Sequence, residues 1–184
     1  EQSSSEIVST YRAKRFFKAG FKRVADLGCG IGGDALALAA NADVVGIDLD
    51  WMRLAMAREN VRAYGGSGRF SPLQADLALL RPLAVDALYF DPARRDEHGR
   101  RLKSVHLYRP PLSLVDHWRT VTPHAAVKIS PGVVYDEIPP EAEAEFISVS
   151  GDVKECVLWY GDLRPAHGRQ ATLLPEGHTL SSGQ

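Results

Sequence analysis

Eight residues, Asp26-Leu27-Gly28-Cys29-Gly30-Ile31-Gly32-Gly33, constrain the fold of this chain more than any other stretch. They join a short apolar run, residues 24–27, to a segment of helical composition, residues 34–41. Glycines at such a junction permit a tight turn and let the backbone approach a ligand closely. A strand, a glycine turn and a helix in that order open a βαβ unit. Taken alone, the pattern also describes a glycine-rich turn with no ligand, and it marks NAD and FAD sites as well.

The rest of the chain keeps the same rhythm. A helix is predicted over residues 6–18, with Ser3 and Glu6 at capping-box spacing and Gly20 after its end. Residues 44–48 read as a second buried strand. A helix over 51–64 carries Leu54, Ala55, Arg58 and Val61 at helical spacing. Residues 69–75 and 85–90 read as further strands, followed by a polar segment, 93–109. Pro110-Pro111 starts a helix to about Val121, and 125–129 is a fifth strand. Residues 145–149 and 154–160 are two strands joined by four residues, which implies an antiparallel hairpin. Residues 171–174 form a possible extra strand. The expected organisation is an N-terminal helix and lead-in over 1–23, one α/β domain over 24–175, and a tail over 176–184. A length of 184 residues with 45% hydrophobic side chains fits a single such domain with a sizeable core.

Four aspartates fall at four successive strand ends: Asp26, Asp48, Asp76 and Asp91. In an open α/β sheet those ends face one crevice, where ligands bind. An acid at the position of Asp48 accepts hydrogen bonds from ribose hydroxyls, and one at Asp76 takes the exocyclic amine of an adenine. Each alone is readily a loop residue or a helix cap. Asp26 is unhelpful beside a pyrophosphate, and an acid-rimmed crevice suits a cofactor carrying a sulfonium and an ammonium but no phosphate.

At this point the chain resembles the class I S-adenosylmethionine-dependent methyltransferases. Asp26-x-Gly28-x-Gly30-x-Gly32 is similar to their motif I, and Gly46-Ile47-Asp48 to the acidic end of their second strand. The resemblance implies a Rossmann-like, doubly wound, mostly parallel seven-stranded sheet with a C-terminal antiparallel hairpin. It implies S-adenosyl-L-methionine as cofactor, held by Asp26, Gly28, Gly30, Gly32, Asp48, Leu49, Asp76, Leu77 and Asp91. Three further segments, residues 91–95, 127–132 and 151–155, resemble a bacterial group that carries a THUMP-like, ferredoxin-like appendage and is related to trimethylguanosine synthase. Members of that group are longer than this chain, and the chain begins at Glu1 rather than Met, so flanking domains are expected.

Methyl transfer from a sulfonium is an in-line displacement, and the enzyme's main task is alignment. Class I enzymes acting on base amines carry Asp/Asn/Ser-Pro-Pro and then an aromatic after the fourth strand. This chain has Asp91-Pro92-Ala93-Arg94: the acceptor is kept and the stacking ring is replaced. Asp91, Pro92 and Arg94 are the catalytic candidates, and Arg94, Arg95 and Lys128 the substrate-binding ones. A guanidinium plane stacks on a base or grips a phosphate. The plainer alternative has Asp91 capping a turn, Arg94 in a surface ion pair and Lys128 paired with an acid. Cys29 reads as a small packing residue.

Charge is unevenly distributed, although the net formal charge is only -1. Residues 12–23 hold Arg12, Lys14, Arg15, Lys18, Lys22 and Arg23 without an acid, and residues 94–109 are also rich in arginine. Residues 136–155 are mostly acidic. A basic face beside the catalytic segment suits phosphate contacts, and His98, His106 and Tyr108 are candidates to meet an unpaired base. The expected partner is therefore RNA (tRNA, rRNA or a small RNA), methylated at a base amine. The alternatives are a methyltransferase of a small molecule or protein, a non-catalytic module retaining the fold, and a nicotinamide oxidoreductase, against which Asp26 and Asp91 argue. Two cysteines make no disulfide framework, no Cys/His cluster has zinc spacing, and no apolar run approaches a membrane span. A cytoplasmic location is expected.

Overall fold

A computed structural model describes residues 5–66, 68–94, 98–100, 102, 104–164 and 168–182. The elements run α1 (Glu6–Lys18), β1 (Arg23–Leu27), α2 (Gly33–Leu38), β2 (Asp43–Asp48), α3 (Trp51–Ala63), β3 (Phe70–Gln74), β4 (Ala87–Phe90), α4 (Ser113–Arg119), β5 (Ala125–Ile129), β6 (Glu143–Val149), β7 (Asp152–Tyr160), β8 (Gly168–Leu174) and β9 (His178–Ser181). Every strand joins one sheet in the order β3-β2-β1-β4-β5-β7-β6-β8-β9.

The first five strands in that order are parallel neighbours. β7 then runs antiparallel to β5, and β6 antiparallel to β7, which is the expected hairpin. The seven strands from β3 to β6 are the doubly wound sheet that the sequence implies. The sheet has nine strands rather than seven, because β8 pairs parallel with β6 and β9 antiparallel with β8. The expected tail over 176–184 is therefore part of the sheet through its residues 178–181. β9 is exposed along its whole length, so no alternation of buried and exposed side chains signals it.

Parallel order reverses between β1 and β4, which places a crevice outside their carboxyl ends. The two faces of the sheet carry separate cores. On one, Val8 and Phe16 of α1, Leu38 of α2 and Leu54 and Val61 of α3 cover Val24, Val44 and Trp159. On the other, Val115 and Trp118 of α4 cover Leu88, Val127, Leu158 and Tyr160. α3 buries Leu54, Ala57 and Val61; Ala55 and Arg58 of the expected stripe lie outside it, with Arg58 exposed. Asp50 caps that helix by accepting from the amides of Met52 and Arg53. The N-cap of α1 is Ser5, without a side-chain bond; Ser3 of the expected capping box lies outside the described residues. Asp86 accepts from the amides of Lys22 and Arg23, both at 2.8 Å, and these bonds hold its carboxyl below the usual carboxylate range.

Candidate cofactor and acceptor site

The glycine turn is pinned to the neighbouring strand. The amides of Gly28 and Cys29 both donate to the carbonyl of Ile47, at 2.8 and 3.0 Å. Gly28, Gly30 and Gly32 all have positive φ, at 78°, 54° and 86°. Asp48 completes the turn from β2: Oδ2 accepts from the Gly30 amide at 3.0 Å and Oδ1 from the Asp50 amide at 2.9 Å. A carboxylate has about four acceptor sites, so each oxygen keeps capacity for a ligand hydroxyl.

Above the turn lies a cavity of about 680 Å³. Of the residues expected at the site, Asp26, Gly28, Gly30, Asp48, Leu49, Asp76, Leu77, Asp91 and Pro92 line it. Leu77 is buried, whereas Leu49 is exposed at the rim. Asp76, exposed at the cavity, accepts from the Ala78 amide at 2.8 Å, forming a local turn.

Gly32 does not line this cavity and serves packing instead. A Cβ there would stand 3.0 Å from both Cα and Cβ of Ala57, so the glycine lets α2 and α3 approach. Lys128 does not line the cavity either. It is buried on β5, and its Nζ donates to Asp91 Oδ2 at 2.7 Å. The expected alternative of pairing with an acid is what the structure has, and Lys128 acts on the cavity through Asp91. Arg94 is half-buried outside the cavity lining. Arg95 lies outside the described residues. Cys29 is buried against Gly46, and burial pushes its thiol well above the ordinary value, which fits a packing role.

Asp26 is the most unusual group on the wall. It is 1% exposed, and neither carboxylate oxygen has a hydrogen-bond partner among the described residues. Burial, reinforced by the charges of Asp34 and Asp91, holds its carboxyl well above the usual carboxylate range.

Sequence reasoning missed three functional side chains. Asp34, at the start of α2, lines the cavity. Arg109 lines it at the far side, placed there by a two-bond bridge in which the Ala93 amide donates to the Arg109 carbonyl at 3.0 Å and the Arg109 amide to Ala93 at 3.2 Å. No periodicity links positions sixteen apart across a polar loop; only Asp34, directly after the glycines, carried a sequence signal. Arg12 is the third. It is 2% exposed, its guanidinium donates to Asp34 and Glu155, and it stands 5.3 Å over the Tyr89 ring.

Arg15 is also inward, at 2.6 Å from Glu143 and 2.8 Å from Glu145. Two of the six cations expected on a basic N-terminal face are thus internal, paired with acids of the run 136–155. Arg12 and Arg15 of the basic run are neutralised inside the fold by Glu143, Glu145 and Glu155 of the acidic run, whereas Lys14, Lys18, Lys22 and Arg23 stay exposed. Tyr108, a candidate for stacking, is buried with its hydroxyl accepting from the Ser130 amide. His98 and His106 are exposed.

Residues 24–91 match the family model described as a methyltransferase domain. Over 194 aligned residues the chain is 36% identical to an uncharacterized S-adenosylmethionine-dependent methyltransferase of Mycobacterium tuberculosis, in strains CDC 1551 / Oshkosh and H37Rv, covering 100% of this chain and 51% of each relative. The chain thus spans about half the length of those relatives. Among solved structures, it is similar to a protein of Porphyromonas gingivalis W83 assigned as a methyltransferase, with a TM-score of 0.72 and 20% identity over 98% of this chain and 48% of that one. Magnesium protoporphyrin IX methyltransferase of Synechocystis PCC 6803, solved with bound SAH, gives a TM-score of 0.53 and 17% identity over 69% of this chain and 56% of that one.

Proposed function

We propose that this chain carries a class I S-adenosylmethionine-dependent methyltransferase domain, which binds S-adenosyl-L-methionine in the β1–β4 crevice and transfers its methyl group to an acceptor at the Asp91 end. The observation that carries the reading is Asp26, a buried carboxyl with no partner facing an acid-lined cavity beside a glycine turn. Such a group is costly unless a ligand satisfies it. A cofactor with an ammonium and a sulfonium meets that need, whereas a pyrophosphate would meet like charge.

When bound, S-adenosylmethionine supplies an activated methyl group and a leaving sulfur. Asp48 would hold the ribose and keep the glycine turn closed. Asp76 and Leu77 would meet the adenine, and Asp26 with Asp34 the amino-acid end. Asp91, fixed by Lys128, would orient the acceptor beside Pro92 and Ala93. Calorimetric titration with S-adenosylmethionine, S-adenosylhomocysteine and NADH tests this. Binding of the first two without the third is expected; NADH binding, or no binding at all, overturns it.

The finer reading makes the acceptor a base amine in RNA. Its support is Asp91-Pro92 on the cavity wall and the exposed Arg109 at the mouth, with the family likeness that suggested a THUMP-like appendage. Titration of tRNA and rRNA at rising salt tests it. Affinity that falls steeply with salt is expected, and no binding overturns it. A small-molecule acceptor is the second reading. One observation favours it: Arg12 and Arg15 are spent on internal ion pairs, which shrinks the basic surface near the site.

A further inference from the structure

We infer that Arg12 of α1 is a positioning residue for the amino-acid end of the cofactor, acting through Asp34. The inference rests on the cofactor reading above. Arg12 lies outside both the matched domain, residues 24–91, and the cavity lining. Its guanidinium grips Asp34, which does line the cavity and neighbours Gly33 and Asp26 there.

The arrangement fixes Asp34 through Arg12, which is itself held on two further sides. Arg12 holds its carboxylate, Glu155 of β7 holds the other side of Arg12, and the Tyr89 ring lies under the guanidinium. Tyr89 is the register partner of Asp26 on the neighbouring strand. Asp34 and Glu155 outweigh the burial penalty on Arg12 and hold its charge in place. A planar, always-charged fork is suited to setting a carboxylate's direction. A buried ion triad adds little net stability over apolar packing of the same volume, so its yield here is geometry.

The same chain of charges continues toward the acceptor end. Glu155 lies within the field of Lys128 as well as of Arg12, and Lys128 grips Asp91.

Two probes separate positioning from mere support of the fold. S-adenosylhomocysteine carries the amino-acid end; 5′-methylthioadenosine is the same nucleoside without it. Both are titrated into the full chain and into Arg12→Met, Arg12→Lys and Asp34→Asn, with melting temperatures recorded in parallel. Arg12→Met is expected to weaken S-adenosylhomocysteine by about tenfold or more, the scale of one charge-assisted hydrogen bond, with 5′-methylthioadenosine essentially unchanged. Asp34→Asn is expected to show the same selectivity, and Arg12→Lys to fall between. Equal losses on both probes, or no loss on either, overturn the inference. If Arg12→Met does not fold, Arg12→Lys, which keeps a charge and a buried stem, carries the same comparison. Failure of the unmodified chain to bind either probe overturns the cofactor reading itself, which is a separate outcome.

Discussion

Lys128 Nζ stands 2.7 Å from Asp91 Oδ2, with the lysine 4% exposed and the aspartate 24%. The pair joins the end of β4 to β5 at the position where the proposed function puts the acceptor. Breaking it from one side leaves a poorly solvated charge. Because Asp91 is partly open to water, the cost is discounted to about 1–3 kcal/mol for Asp91→Asn. Lys128→Met with Asp91→Leu should recover most of that loss. A urea-denaturation double-mutant cycle measures the coupling; additive single and double effects would show that the pair is not a unit.

Burial holds the Asp26 carboxyl of the folded, ligand-free chain well above the ordinary 3.8 to which it returns once unfolded. Above about pH 4 the folded state therefore holds more protons than the unfolded state, and this group's contribution makes stability fall as pH rises toward its folded value. Asp26→Asn removes the penalty. The variant should melt higher than the unmodified protein at pH 7 but not at pH 4, and should lose the stabilisation that S-adenosylhomocysteine gives. Melting curves at both pH values, with and without S-adenosylhomocysteine, check all three outcomes.

Asp48 holds the turn with both oxygens of its carboxylate, and in the proposed function the same carboxylate meets the ribose. Asp48→Ala should abolish S-adenosylhomocysteine binding, because the ribose acceptor and the anchor of Gly30 go together. Asp48→Asn keeps one carbonyl oxygen and should bind weakly. Unchanged calorimetric affinity in Asp48→Ala would mean that the cofactor lies elsewhere.

Gly30 and Gly32 share a left-handed backbone but not a role. Around Gly30 a Cβ finds nothing within 4 Å, while at Gly32 it meets Ala57 at 3.0 Å. Gly30→Ala should cost only the conformational strain, about 1–2 kcal/mol. Gly32→Ala should cost more, adding overpacking of about 1–3 kcal/mol between α2 and α3. Chemical denaturation of the two variants tests the order.

Most of the parallel half of the sheet was legible because β1, β2, β4 and β5 are largely buried runs, as in residues 24–27 and 44–48. The cavity wall formed by Asp26, Asp48, Asp76 and Asp91 was legible for the same reason, since strand ends map directly onto the crevice. Three things were not. β9 has no buried side chain to give it a period. Arg109 reaches the cavity only through its bridge to Ala93. Arg12 and Arg15 looked like solvent cations because charge alone does not report burial, and their partners Glu143, Glu145 and Glu155 lie in a distant run. Opposed charge runs in one chain point to mutual pairing as readily as to an external polyanion.

The docking of α1 has a consequence for the order of assembly. Its arginines close onto acids 128, 130 and 143 positions later in the chain. Contacts that distant in sequence form slowly, because a long loop has to be closed before they add stability. During synthesis the glycine turn and β1 emerge before β7, so Arg12 has no Glu155 until the β6–β7 hairpin is made. The wall that Asp34 contributes to the crevice is thus completed among the last steps of folding, and a nascent chain stalled before β7 would hold the glycine turn without its finished pocket.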